Sequence, residues 1–226
     1  MEIVAHQRRG RGPARERLLE RLRAGVAAGA DRLELDVRAL GGRLVVAHDE
    51  REARDARALA VEDALALVAA SGCDVLIDLK HATAATAVGR ALDEAGLGSR
   101  AIVSGPLVPV QAAAAACGAQ RAWTLPTSRR ARPGAPAGPW GTATGAARGR
   151  VRRAAAESLA AARCDAVCVD RRFVTPELRD AVRSAGGRLL VWTVDRPADV
   201  ERLAALPVDG LITNDPAGAR RVLAAR

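Results

Sequence analysis

Three histidines occur in this chain of 226 residues, and two of them close short apolar runs beside charged residues. His6 ends Glu2-Ile3-Val4-Ala5 and is followed by Gln7-Arg8-Arg9-Gly10. His48, with Asp49 behind it, ends Arg43-Leu44-Val45-Val46-Ala47. Imidazole exchanges a proton near neutral pH, so two of them at one site can divide the roles of acid and base. Glu34 and Asp36 stand two apart in a third run, and Asp78 and Lys80 stand two apart at the end of a fourth, with His81 next. On a strand, a spacing of two puts both side chains on one face.

Carboxylates inside an apolar strand are costly to bury unless they are paired or hold a cation. Glu34, Asp36 and Asp78 offer oxygen donors only, which suit Mg2+ or Ca2+ better than Zn2+. The same residues also fit a second arrangement, in which Glu34 and Asp36 pair with Lys80 and nearby arginines. Asp170, Trp192 and Asn214-Asp215 end or follow further apolar runs.

The elements that must carry these residues alternate regularly. Eight apolar runs, at 2–5, 32–37, 74–79, 101–104, 121–125, 166–170, 188–194 and 210–213, read as strands, and 43–48 reads as a hairpin off the second. Helical patterns lie between them at 14–28, 61–70, 82–95, 107–117, 146–162, 175–185, 197–205 and 216–225. Gly29, Gly96 and Gly186 follow helix ends, and Thr175-Pro176 and Asp215-Pro216 read as N-caps with Pro at the first helical position. Strand–helix alternation predicts parallel βαβ units, and eight of them in ~200–250 residues predict a closed (β/α)8 barrel. An open doubly wound sheet is the alternative, though no GxGxxG follows the first strand. The Pro-, Gly- and Arg-rich stretch 126–150 reads as a long loop after strand five on the face where such barrels carry their sites.

Hydrophobic residues make up 49% of the chain and aromatics 2%, so the predicted core is built from Ala, Val, Leu and Ile. The whole chain, 1–226, reads as one domain. The net charge of +9 attracts anions but identifies no partner. The clusters Arg129-Arg130 and Arg150-Arg152-Arg153 lack the interleaved aromatics that stack bases, so nucleic acid is not expected as a partner. Cys73, Cys117, Cys164 and Cys168 form no CxxC pair and read as reduced thiols. No run reaches the ~18 apolar residues of a membrane span, and no leader pattern opens the chain, so a cytoplasmic location is expected.

Four stretches together carry a resemblance: AHQRRG, then AGADRLELDVRALGGRLVVAHD, then LIDLK, then VWTVDRPADVERLAALPVDGLITNDP. They resemble the glycerophosphodiester phosphodiesterase family, with its His-Arg-Gly opening, Glu-x-Asp, His-Asp, Glu-x-Lys, Trp-Thr-Val and Asp-Gly-Ile-x-Thr-Asp-x-Pro. The resemblance runs from Ile3 to Pro216. It implies a (β/α)8 TIM barrel and a metal-dependent enzyme of glycerol and lipid metabolism that hydrolyses a small-molecule glycerophosphodiester to an alcohol and glycerol 3-phosphate. It implies His6 and His48 as the catalytic acid/base pair. Glu34, Asp36 and Asp78 would bind a divalent cation, Mg2+ or Ca2+. Lys80 would contact the phosphate and Trp192 would line the pocket.

The sequence also departs from that pattern. Gln7 stands where the family has Arg, so Arg8 or Arg9 is left to supply the guanidinium at the phosphate. Pro13-Ala14-Arg15-Glu16 stands for the family's Pro-Glu-Asn-Thr. Asp78 is one methylene shorter than the family's Glu. The family's insertion after His-Asp is reduced to Glu50–Ala60. These departures leave two alternatives: a catalytically impaired barrel that binds phosphorylated ligands, and a lysophospholipase D-like phosphodiesterase.

Overall fold

A computed structural model of the chain describes residues 1–6, 14–125 and 143–226. In chain order, the elements begin with β1 (Glu2–Ala5), α1 (Ala14–Ala27), β2 (Arg32–Leu40), β3 (Arg43–Val46), α2 (Glu50–Ala53), β4 (Leu59–Ala60) and α3 (Val61–Ser71). There follow β5 (Asp74–Leu79), α4 (Ala85–Glu94), β6 (Ala101–Gly105), α5 (Leu107–Cys117), β7 (Gln120–Thr124), α6 (Gly145–Ala160) and β8 (Ala166–Asp170). The chain closes with α7 (Pro176–Ser184), β9 (Arg188–Trp192), α8 (Pro197–Ala205), β10 (Gly210–Thr213) and α9 (Pro216–Ala224).

Eight parallel strands run in the order β1-β10-β9-β8-β7-β6-β5-β2, and β1 pairs with β2 to close the cylinder. This is the expected (β/α)8 TIM barrel. The hairpin expected at 43–48 is also present: β3 pairs antiparallel to the far end of β2, from Val37↔Val46 to Leu40↔Arg43, and β4 continues it. This arm takes no part in closing the cylinder.

Strand alternation explains which residues face the barrel axis. Val4, Leu76, Ile102, Ala122, Ala166, Cys168, Leu190 and Ile212 pack together inside the cylinder. Their neighbours in sequence, such as Val75, Ile77, Val103, Val167 and Val191, pack outward under the helices. β2 is the exception in chemistry and not in period: Leu33, Leu35 and Val37 go outward, leaving Arg32, Glu34 and Asp36 for the interior. Arg32 lies at the N-terminal end, 4% exposed, donating to the Val75 and Arg100 carbonyls and pairing with Asp74 and Glu2. A buried guanidinium with this many acceptors closes the bottom of the barrel without an unpaired charge.

The local signals act as anticipated. Gly29, Gly96 and Gly186 have φ of 72°, 65° and 72°, the left-handed conformation that a residue without Cβ adopts at little cost. Thr175 accepts from the Leu178 N–H and Asp215 from the Gly218 N–H. The predicted loop 126–150 needs one correction. Its last residues are helical, because Thr144 caps the Ala147 N–H and α6 starts at Gly145. Residues 126–142 lie outside the described residues, as do Arg8 and Arg9. All four cysteines are free thiols; Cys164 and Cys168 are buried and Cys73 and Cys117 half-buried. Among the described residues, no helix is long and apolar enough to cross a membrane.

Candidate active site

The C-terminal ends of the strands surround a cavity of about 650 Å3. His6, Glu34, His48, Asp78, Lys80 and Trp192 all line it, over a floor that includes Leu76, Ser104, Cys168 and Ile212. Six of the nine site residues read from the sequence therefore meet in one space. Asp36 lies directly beside it, while Arg8 and Arg9 fall outside the described residues.

Register brings the acids together. Asp36 on β2 is the direct partner of Asp78 on β5 in a parallel ladder, and Glu34 stands one interior layer below Asp36. Oxygens of Glu34, Asp36 and Asp78 lie within 4.8 Å of one another. Asp36 is 1% exposed and Glu34 6%. Burial, with Glu34 and Asp78 close by, pushes the Asp36 carboxyl up to about 7 despite the opposing pull of Lys80. Three hard oxygen donors gathered this closely form a set that fits a divalent cation.

Lys80 takes part in the same cluster. Its Nζ lies 2.7 Å from Asp36 Oδ1 and also donates to Asp78 Oδ2. The two arrangements expected from the sequence thus coexist in part, although the lysine pairs with Asp36 and Asp78 and not with Glu34. Burial disfavours the ammonium, but the Asp78 and Asp36 carboxylates outweigh it and raise the Lys80 pKa.

His6 is reached from below by the β1–β10 ladder, its N–H donating to the Thr213 carbonyl at 2.8 Å. Its Nε2 lies 3.6 Å from Glu34 Oε2 and its Nδ1 2.9 Å from Asn214 Oδ1. Burial opposes the imidazolium; the Glu34 carboxylate, the Asn214 bond and Asp36 overcome that and hold the His6 pKa above its ordinary value. Asn214 is itself fixed, since its Nδ2 and backbone N–H both donate to Asp195, at 2.7 and 2.8 Å. Because a carboxylate only accepts, this orientation turns the amide oxygen toward His6 and makes Nδ1 the donor, leaving Nε2 toward the acids.

His48 arrives on the arm. Ala47 N–H donates to the Asp36 carbonyl at 2.8 Å, which ties the residue before the histidine to the acidic cluster. Asp49 caps α2 by accepting from the Glu52 N–H, and Glu52 Oε2 accepts from the His48 N–H at 2.9 Å. Glu52 also pairs with Arg17 of α1 at 3.1 Å. This reciprocal box explains the acid placed three residues after Asp49. The third histidine, His81, meets Arg38 at 2.9 Å and does not line the cavity.

Sequence reading did not single out Arg172, Asp195 or Glu52, and it took Thr193, which also lines the cavity, only as part of the Trp-Thr-Val stretch. Arg172 stands two residues past β8, lines the cavity, and forms a fork with Asp170: Nε to Oδ1 at 2.9 Å and Nη2 to Oδ2 at 2.7 Å. The available signal was Asp170 at a strand end with two arginines following it.

Residues 54–218 match the glycerophosphoryl diester phosphodiesterase family, a stretch that includes Asp78, Lys80, Arg172 and Trp192. A glycerophosphodiester phosphodiesterase of Caldanaerobacter subterraneus is 46% identical over 43 residues, a stretch of 19% of this chain and 18% of that protein's length. Among solved structures, a glycerophosphodiester phosphodiesterase of Parabacteroides distasonis superposes with a TM-score of 0.75 at 16% identity, covering 100% of this chain and 97% of that one. A phosphodiesterase of Oleispira antarctica, solved with sn-glycerol-3-phosphate as product, gives 0.69 at 15% identity over 99% and 97%. The structural likenesses establish the barrel, and the family match over most of its strands and helices establishes the lineage: the chain belongs to the glycerophosphoryl diester phosphodiesterase family.

Proposed function

We propose that this protein is a divalent-cation-dependent phosphodiesterase that hydrolyses glycerophosphodiesters to an alcohol and glycerol 3-phosphate. The observation that carries the reading is the meeting of a three-carboxylate cluster, two of whose members line the cavity, with a lysine and two histidines at the C-terminal mouth of the barrel. The glycerol-phosphate product held by the Oleispira antarctica protein supports the same product here.

A phosphodiester is anionic and resists attack by water, so the site must supply positive charge and move two protons. Glu34, Asp36 and Asp78 would hold the cation, Mg2+ or Ca2+, which when bound supplies Lewis-acid charge to the non-bridging oxygens. The Lys80 ammonium, kept protonated by its two carboxylates, adds fixed charge at the same place. One of His6 and His48 takes the proton of the attacking water as its oxygen bonds to phosphorus. The other gives a proton to the alcohol oxygen as its bond to phosphorus breaks. Trp192 forms an apolar wall for the alcohol. Arg8 and Arg9 belong to this reading as further anion contacts, on a single domain spanning 1–226, in a cytoplasmic enzyme of glycerol and lipid metabolism.

The test is hydrolysis of glycerophosphocholine and glycerophosphoserine with Mg2+, Ca2+ or EDTA, beside His6→Ala and His48→Ala. Turnover should vanish in EDTA and fall by at least about 10²-fold for each histidine. Absence of turnover with any metal, or turnover indifferent to EDTA and to both substitutions, would overturn the reading.

A further inference from the structure

The acidic cluster and Arg172 occupy opposite sides of the barrel mouth. Around the closed cylinder, β8 is the fourth strand from β2 in either direction, through β5, β6 and β7 or through β1, β10 and β9. Arg172, just past β8, therefore faces Glu34 and Asp36 across the cavity that all but Asp36 line. A diester whose phosphate lies at the acids directs one of its two substituents toward this wall.

The wall is built. Asp170 is 5% exposed and accepts three hydrogen bonds from Arg172, through Nε, Nη2 and the backbone N–H. Arg148 donates to the Arg172 carbonyl through Nε and Nη2, which fixes the backbone from the α6 side. The fork uses the Nε edge of the guanidinium. Its other edge, Nη1 with the second hydrogen of Nη2, keeps the planar geometry that receives a carboxylate in two parallel bonds. Trp192 is the register partner of Asp170 on β9, and its buried Nε1–H meets no acceptor among the described residues. Arg172 and Trp192 thus meet at the same end of the cavity, where the second edge of the guanidinium is a charged donor. Lys80, by contrast, is committed to Asp36 and Asp78.

We infer that Arg172, positioned by Asp170, determines specificity by binding the alcohol end of the diester, and that this end carries a carboxylate, as in a seryl head group. The inference rests on the phosphodiesterase reading above. A quaternary ammonium would meet the guanidinium as a like charge, and would gain only the face of Trp192 in return.

The experiment compares kcat/KM for glycerophosphoserine, glycerophosphoglycerol and glycerophosphocholine in the metal-loaded wild type, in Arg172→Gln and in the double variant Asp170→Asn with Arg172→Gln. The double variant keeps a neutral hydrogen-bonding pair, should removal of the guanidinium alone leave the buried Asp170 charge unfolding the turn. Wild type should prefer the seryl over the choline substrate. That ratio should collapse by about 10–100-fold in both variants, mainly through KM. A wild type that prefers choline, or variants that keep the wild-type ratio, would overturn the inference while leaving the phosphodiesterase reading intact. A wild type that cleaves none of the three would remove that reading and this one with it.

Discussion

Asp36 and Asp78 are direct partners across β2 and β5, and Lys80 Nζ bonds to both. One ammonium bridging two carboxylates explains how this pair of acids is accommodated at the barrel mouth. Lys80→Met removes the ammonium that bridges these two acids. In EDTA the variant should lose stability, at most by about 3–5 kcal/mol, and divalent cation should restore more of its Tm than it adds to the wild type. Thermal melts with and without Mg2+ read both effects.

The pH dependence of the metal-free protein follows from Asp36 and His6. Burial holds the Asp36 pKa up at about 7 against an ordinary 3.8, so between those values the folded state binds more protons than the unfolded one. Stability from this group is present at low pH and is lost as pH rises through about 7. His6, also raised, acts in the same direction above its ordinary 6.5. Melts in EDTA should therefore show higher Tm near pH 5 than near pH 8 from these groups, and cation binding should tighten across that window as the carboxyl proton is displaced.

Asn214→Ala removes the acceptor that fixes the His6 tautomer. kcat should fall by about 10–100-fold with little change in KM. With three histidines in the chain, 15N spectra of the imidazoles at alkaline pH can read the mixture of tautomers that the variant acquires.

Glu52→Ala removes the acceptor of the His48 backbone N–H and a carboxylate partner of Arg17 together. Stability should drop by about 1–2 kcal/mol, the usual cost of a lost cap with an ion pair, and kcat should drop with it. A Glu52→Gln variant keeps the hydrogen-bonding oxygen and should recover much of kcat, which steady-state kinetics will show.

The barrel and most of its candidate site were legible because their signals are local. An apolar run with a charge at its end needs no knowledge of neighbours, and Glu34-x-Asp36 or Asp78-x-Lys80 carries its own period of two. The elements that escaped are too short for periodicity to register: α2 has four residues and β4 two. Asp195, Glu52 and Arg172 escaped for another reason. Each acts through a partner or a cavity that only the folded register creates, such as Asp195 with Asn214, 19 residues apart. Surrounded by many other arginines and acids, none carries a pattern of its own. Loop 126–150 was marked by composition, and its last residues overlap the helix expected at 146–162, which Thr144 starts one residue earlier, at Gly145.

The placement of His48 on the β3–β4 arm separates activity from global stability. Four register pairs with β2 and the capped turn at Asp49 hold it, while eight other strands and their helices hold the barrel. Release of the arm costs those contacts, the Glu52–Arg17 pair and the packing of Leu44, Val46 and Leu59 in the outer core, and leaves the eight-stranded ladder paired. Warming should therefore silence the enzyme by detaching one of its two proton carriers while the cylinder remains folded, and cooling should return it, so that loss of turnover precedes loss of circular dichroism and is reversible.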